Sequence, residues 1–250
     1  MKKYRNTIEF EVYGDYALFS DPVTRVGGEK SSYHIPTYEA LKGIVESIYW
    51  KPSIMWIVDA VRIMKPIQTE TKGVRPIAYN GGNELAYYTY LKDVCYQVRA
   101  HFEVNYNHPE LVSDGKNENK HHNIAKRMVE RGGRRDVFLG TRECQAFVEP
   151  CEFLSKDSYY DNAPGEISYG FMYHGITYAD EAILPEEKNK MTVNFWHPVM
   201  KKEGTKGGVI TFIRPEACKE KRFIKEISVR EFGKDAFSGL GEFTEEEAAD

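Results

Sequence analysis

The chain has 250 residues, 41% of them hydrophobic and 13% aromatic, with a formal net charge of -4. That is ample for one sizeable domain, or for one of about 150 residues with a smaller companion, and it excludes a chain that is disordered throughout. No segment approaches about 18 consecutive apolar residues, and the basic start MKKYRNTIEFEVYGDY has no apolar run behind it, so neither a membrane span nor a secretion signal is expected. Cys95, Cys144, Cys151 and Cys218 form no CxxC pair, and their wide spacing suits reduced thiols in the cytoplasm better than a zinc site or a disulfide framework.

Charge is unevenly spread. The tail Glu242 to Asp250 (EFTEEEAAD) carries five carboxylates and no base, which leaves residues 1 to 241 with 34 basic and 33 acidic side chains. Between Lys116 and Arg142 stand eight Lys/Arg and three Asp/Glu, a basic patch inside an acidic total. Taken on charge alone, such a run is as often a solvated helix face as a binding surface.

Thr7 to Tyr13 alternates Ile8, Phe10 and Val12 with polar neighbours, the period of a half-buried strand. After Pro22 and Gly27-Gly28, Pro36-Thr37 introduces Tyr38, Leu41, Ile44, Val45, Ile48 and Tyr49, one face of a helix that stops before Pro52. Ile54 to Met64 is rich in bulky and β-branched residues and predicts a buried strand. The turn-rich stretch Gln68 to Leu85 predicts a mobile loop. Val94 to Val104 alternates without a break and predicts a strand, Asn119 to Glu130 has helical spacing and ends at Gly132-Gly133, and Glu143 to Phe153 resumes a broken strand pattern.

The resulting order, β-α-β-β-α-β, predicts an α+β fold: a ferredoxin-like (RRM-like) domain over residues 1–157 with both helices on one face of the sheet. Tyr-rich strands follow at Ser168 to Tyr178, Met191 to Pro198 and Gly208 to Ile213, the last two expected as a hairpin across Lys201 to Gly207. They predict a small antiparallel appendage over residues 158–241, with the acidic tail 242–250 disordered.

That fold serves many functions, so the side chains must decide. His121 and His122 open the second helix behind Lys120, where backbone N–H groups add a positive end to the basic patch. Cutting RNA without a metal requires a group to take the 2′-hydroxyl proton, a cation for the phosphorane and a proton for the departing 5′-oxygen. Lysine supplies the cation, histidine can serve as base or acid, and Tyr49, at the end of the first helix on the same side of the sheet, can position the 2′-hydroxyl or share its proton. The plain alternatives are a core tyrosine and a pair of helix-capping histidines. His101 and Glu103 share the polar side of their strand; a metal site or second acid/base pair is the sharper reading, a cross-strand polar pair the safer one. Outside the tail and Glu186-Glu187 there is no tight carboxylate cluster, which disfavours two-metal cleavage of DNA.

A family resemblance rests on several motifs: Phe10-Glu11-Val12-Tyr13-Gly14, Phe19-Ser20-Asp21-Pro22, Ser32-Tyr33-His34-Ile35-Pro36-Thr37, Ala40-Leu41-Lys42-Gly43-Ile44, Ile48-Tyr49-Trp50-Lys51-Pro52, Lys120-His121-His122 and Phe138-Leu139-Gly140-Thr141-Arg142-Glu143. With them the chain, to about Ile213, resembles the fifth Cas protein, d subtype, of type I-C (Dvulg) CRISPR systems, a family of the RAMP superfamily. The resemblance implies a metal-independent endoribonuclease, needing no cofactor, that cuts the repeat hairpin of precursor CRISPR RNA to 2′,3′-cyclic phosphate and 5′-hydroxyl ends. It also implies that the protein stays on the mature crRNA beside the backbone and large subunits of the surveillance complex. The family's catalytic tyrosine, lysine and histidine match Tyr49, Lys120 and His121. RNA contact is expected from His122, Lys126, Arg127, Arg131, Arg134 and Arg135, from stacking on Tyr33, and from Arg25 beside Gly27-Gly28. The rival expectations are a non-catalytic holder of the crRNA 5′ end and, more remotely, a metal-dependent DNA nuclease.

Overall fold

The computed structural model describes residues 4–76, 81–82 and 84–229; the acidic tail 242–250 lies outside them. The first half contains β1 (Ile8–Ala17), α1 (Tyr38–Ile48), β2 (Ile54–Ile63), β3 (Thr69–Val74), β4 (Ala86–Val104), α2 (Glu118–Glu130), β5 (Val137–Phe138) and β6 (Gln145–Pro150). The second half adds β7 (Ile167–Ser168), β8 (Met172–Thr177), β9 (Lys190–Trp196), β10 (Val199–Glu203), β11 (Lys206–Thr211) and β12 (Glu220–Glu226). The architecture is mixed α/β and mostly antiparallel: one sheet runs β5-β6-β1-β4-β2-β11-β10-β7, and a second runs β12-β9-β8.

Both long helices form where the sequence places them, and for the expected reasons. The Thr37 hydroxyl caps α1 by accepting from the Ala40 amide at 3.2 Å, and Tyr38, Leu41, Ile44, Val45 and Ile48 are buried on one face. Asn117 caps α2 through the Lys120 amide, and that helix buries only His121, Ala125 and Val129, leaving its basic side to solvent. Opposite these residues the sheet presents Phe10, Val12, Val98, Ala100 and Phe102, all essentially inaccessible, in the same core as both helices. Each of the Val and Phe side chains contributes roughly 1.5–3 kcal/mol of burial. The two helices also touch each other.

The remaining face of the same strands is polar yet covered. Arg99 pairs with Glu9 at 2.9 Å and Lys156 with Glu11 at 2.8 Å. The fully buried Arg62 donates to the Gly207 and Lys156 carbonyls and to Asp161. Each of its three nitrogens therefore has an acceptor, which is what allows a charge to sit at 0% exposure.

Two expectations need correction. Thr69–Val74 is not a loop: it pairs with Val74↔Ala86 to Thr69↔Leu91, so that β4 begins at Ala86 and runs for 19 residues. Its burial alternates only between exposed and intermediate, so it lacks the apolar period that marks a strand in sequence. The expected hairpin also pairs differently. Pro198 follows the end of β9, β10 starts at Val199, and it is β10 that turns back into β11 through Gly204 at φ +64°. β9 pairs instead with β8 and β12, while β11 joins β2 from Val209↔Arg62 to Thr211↔Ala60, bridging the expected units 1–157 and 158–241.

Candidate active site

The corner between α1 and β2 sets the site. Tyr49 follows the last turn of α1; its amide donates to the Val45 carbonyl at 2.9 Å, and its own carbonyl accepts from the Trp56 indole at 2.7 Å. Its backbone is thereby held from both sides. Four residues on, the Ser53 carbonyl accepts the Asn105 amide at 3.0 Å, joining this corner to the end of β4. The short helix Val112–Gly115 packs onto the same carbonyl through Gly115, where a Cβ would stand 2.4 Å from the Ser53 oxygen. Only a glycine lets this turn approach so closely.

That approach delivers Asp114. Its carboxylate accepts from the Ser53 hydroxyl at 2.8 Å and from the Lys120 ammonium, and these bonds, with the lysine first, hold its pKa below the usual carboxylate value. Its main-chain oxygen lies 2.9 Å from His121 Nε2. A carbonyl can only accept, so Nε2 carries the proton. In the neutral ring Nδ1 is then an acceptor, and it stands 2.8 Å from the Tyr49 hydroxyl, which donates to it. Tyr49 and the adjacent Lys120 and His121, about 70 residues further along the chain, are thereby joined, His121 to Tyr49 and both later residues to Asp114.

Tyr49 is 2% exposed and His121 0%, whereas Lys120 faces solvent. Desolvation first, then the Asp114 charge, pushes the Tyr49 pKa up, and Arg134 opposes the shift. Phe102 packs edge-on to His121 with ring centroids 5.9 Å apart. The pair is thus a buried hydrogen-bonded couple, linked through Asp114 to Lys120 at the surface. Asp114 and Ser53 are the parts that sequence reading missed; the Asp-Gly turn is their only local signal.

The other expected residues fall into separate neighbourhoods. Arg134 and Arg135 are stapled to the end of α1, their amides donating to the Ile48 and Ser47 carbonyls at 3.2 and 3.1 Å, which sets them beside Tyr49. With Arg131 they line a cleft against Phe147 and Glu149 of β6. Lys126 and Arg127 are exposed on α2. His122 is half-buried and tied through Nε2 to the Thr7 carbonyl at 3.0 Å, which links α2 to the residue before β1; burial lowers its pKa. Arg25, on the short helix Pro22–Arg25, stands apart from the Tyr49 corner in a groove with Thr37, Gly43, Ser47, Thr141 and Tyr173. Tyr33 is half-buried, packed against the core, and its pKa is raised by that burial.

His101 is held by Asp59, both of whose oxygens lie 2.9 Å from Nδ1, and by Glu103 at 3.5 Å from Nε2. Glu103 also receives a two-pronged contact from Arg214 at 2.7 and 2.9 Å and, with that partner first, is depressed to about 2. This is the cross-strand polar arrangement, extended into an ion network that fastens the segment after β11 to the sheet. Among the described residues no group of three or more His, Cys, Asp and Glu side chains is disposed to hold a metal ion, no helix is long and apolar enough to cross a membrane, and all four cysteines are free.

Comparison with known proteins gives the family. Residues 7–206 match the CRISPR-associated protein family Cas5, in its Cas5d form. Two curated relatives are named CRISPR pre-crRNA endoribonuclease Cas5d. The one from Mannheimia succiniciproducens is 41% identical over 66 residues, 26% of this chain and 28% of the relative. The one from Thermus thermophilus is 27% identical over 153 residues, 57% and 63% of the two chains. The chain thus spans less than two thirds of the length of either. Among solved structures, one described as a CRISPR-associated protein superposes with a TM-score of 0.70 at 36% identity, covering 86% of this chain and 96% of the other. The functionally uncharacterized SMU1763c from Streptococcus mutans gives 0.68 at 34% with the same coverage. With four fifths of its length inside the family match, the chain belongs to the Cas5d family of CRISPR-associated proteins.

Proposed function

We propose that the protein is a cytoplasmic endoribonuclease that cuts the repeat hairpin of precursor CRISPR RNA by metal-independent attack of a 2′-hydroxyl, and then holds the mature crRNA beside the backbone and large subunits of a type I-C surveillance complex. The names of its curated relatives support the substrate, and the antiparallel order β6-β1-β4-β2 with two helices packed over it supports a ferredoxin-like core. The observation that carries the reading is the chain of contacts from the Tyr49 hydroxyl to His121, and from His121 and Lys120 to Asp114.

In this reading an RNA phosphate displaces Asp114 from the Lys120 ammonium and opens the cover over Tyr49. As the 2′-oxygen forms its bond to phosphorus, Tyr49 takes its proton and passes its own to His121 Nδ1 along the 2.8 Å contact. Lys120 neutralises the phosphorane and gives a proton to the 5′-oxygen as the P–O5′ bond breaks. A 2′,3′-cyclic phosphate and a 5′-hydroxyl result, and no water is consumed. Arg134, Arg135 and Arg131 grip phosphates beside the cut, with Lys126 and Arg127 further along α2.

Complete burial of His121, with both ring nitrogens already engaged, favours a second reading: a holder of the crRNA 5′ end whose tyrosine-histidine pair is structural. Incubating the protein in excess EDTA with its cognate repeat RNA, and with the same RNA carrying one 2′-deoxy sugar at the cut, separates the two. Cutting of the first RNA alone supports the nuclease; tight binding without cutting of either selects the holder.

A further inference from the structure

The outward face of the three-stranded sheet β12-β9-β8 plays no part in the chemistry above. Its inner face is filled by Thr192, Asn194 and Trp196 against His174 and Met172. The side-chain alternation therefore turns Phe195 of β9 and Tyr173 of β8, which lies opposite it, outward, and Phe171 just before β8 and His197 just after β9 are exposed on the same side. Phe171 is 56% exposed and stacks on Phe195 with centroids 5.0 Å apart and planes 16° from parallel, and His197 lies 5.4 Å from the same ring. On the edge strand of this face Arg222 stands opposite Val193 and Lys225 opposite Met191, both exposed, with Glu220 opposite Phe195.

The surrounding chain is net basic. Residues 190–225 contain nine Lys/Arg and three Asp/Glu. Of these cations Lys206, Arg214 and Lys221 are paired with Asp157, Glu103 and Glu187. A row of flat rings on an antiparallel sheet, bordered by cations, is the arrangement on which unpaired bases stack while their phosphates are neutralised. A protein partner would be met by the rings but has no general need of the positive border. The surface also leads to the site: Tyr173 lines the groove that runs past Arg25, Thr37 and Gly43 to Ser47, whose carbonyl holds Arg135 beside Tyr49.

We propose that the outward face of β8, β9 and β12 is a stacking platform for single-stranded RNA, built from Phe171, Tyr173, Phe195 and His197 with Arg222 and Lys225. It receives the unpaired strand that flanks the hairpin, and to that extent rests on the nuclease reading. The fluorescence anisotropy of a labelled oligouridylate, titrated with the full chain at several salt concentrations, tests it. Phe171→Ala is expected to weaken binding about tenfold and Phe171→Tyr to restore it. The Arg222→Ala/Lys225→Ala double variant should lower the slope of log affinity against log salt by about 1.4, two phosphate contacts' worth on a single strand. Thermal melting of each variant identifies any that fails to fold. Wild-type affinity in both variants, as a protein-docking face would give, overturns the platform, and so does a wild type that ignores the oligomer. Cleavage of the repeat hairpin, read in the same wild-type samples, keeps the two ideas separate: a protein that binds oligouridylate through Phe171 but cuts nothing retains the platform and loses the nuclease.

Discussion

The hydroxyl of Tyr49 donates to Nδ1 of His121 across 2.8 Å, while the Nε2 proton of the same ring is taken by the Asp114 carbonyl. The ring is thereby fixed in the one tautomer that can accept a proton from the tyrosine. If this path carries the 2′-hydroxyl proton, Tyr49→Phe and His121→Ala each slow single-turnover cleavage about 10²–10⁴-fold, the usual worth of general acid-base catalysis. The double variant should be little slower than either single one, because the two residues act as a unit. Repeat-hairpin affinity should stay within a few-fold. Multiplicative losses in the double variant would mean that the two act separately.

Asp114 occupies the Lys120 ammonium, the group that holds a phosphate in the proposed reaction. Asp114→Asn should therefore tighten equilibrium binding of the hairpin a few-fold, through loss of a competing anion. It should slow cleavage by about tenfold, since the lysine loses its fixed position. Weaker binding in a filter assay would show that the carboxylate organises the RNA site instead of covering it.

Much of this arrangement is legible in sequence, and the rest is not, for identifiable reasons. The spacing of Leu41, Ile44, Val45 and Ile48 fixes the first helix and so brings Tyr49 to its end; the clean alternation from Val94 to Val104 fixes the strand under it. Tyr49 and His121 attract notice by residue type, and the resemblance selects them. Asp114 is one acid among 38 acidic side chains, and its importance comes only from the contact of Gly115 with Ser53, about 60 residues away. Strand β3 escaped because both its faces are wet, and the β9-β10-β11 pairing because alternation identifies a strand without naming its neighbour. His122, expected to contact RNA, is one position from His121 along the helix, which rotates its side chain by about 100°, here toward the Thr7 carbonyl.

Gly115→Ala probes that tertiary contact directly. The added Cβ would meet the Ser53 oxygen at 2.4 Å and Val104 Cγ1 at 3.0 Å; the first is main chain and cannot swing aside. Denaturant titration should show a loss of roughly 1–3 kcal/mol, typical of overpacking. Cleavage should fall further than the unfolded fraction explains, because displacement of the turn carries Asp114, and with it the bond to His121 Nε2, out of place. Wild-type stability and rate would mean that the corner yields freely and does not position the site.

Glu46 gives a pH signature on the same helix as Tyr49. Half-buried beside Lys42 and Glu181, it is raised by desolvation from 4.5 to about 7, while Lys42, which contacts Glu181 directly, opposes that shift. An acid whose pKa is higher folded than unfolded binds more protons in the native state. The stability associated with its protonated form is fully present below about pH 4.5 and is lost as pH rises through about 7. Glu46→Gln removes that loss without emptying the site, and Lys42 keeps Glu181 as its partner. The variant should melt roughly 2–4 °C above the wild type at pH 8 and within a degree or so of it near pH 4.5. A melting advantage equal at both pH values would place its origin in packing or helix propensity, and a variant less stable at pH 8 would mean that the Lys42-Glu46 attraction outweighs the cost of burying the carboxylate.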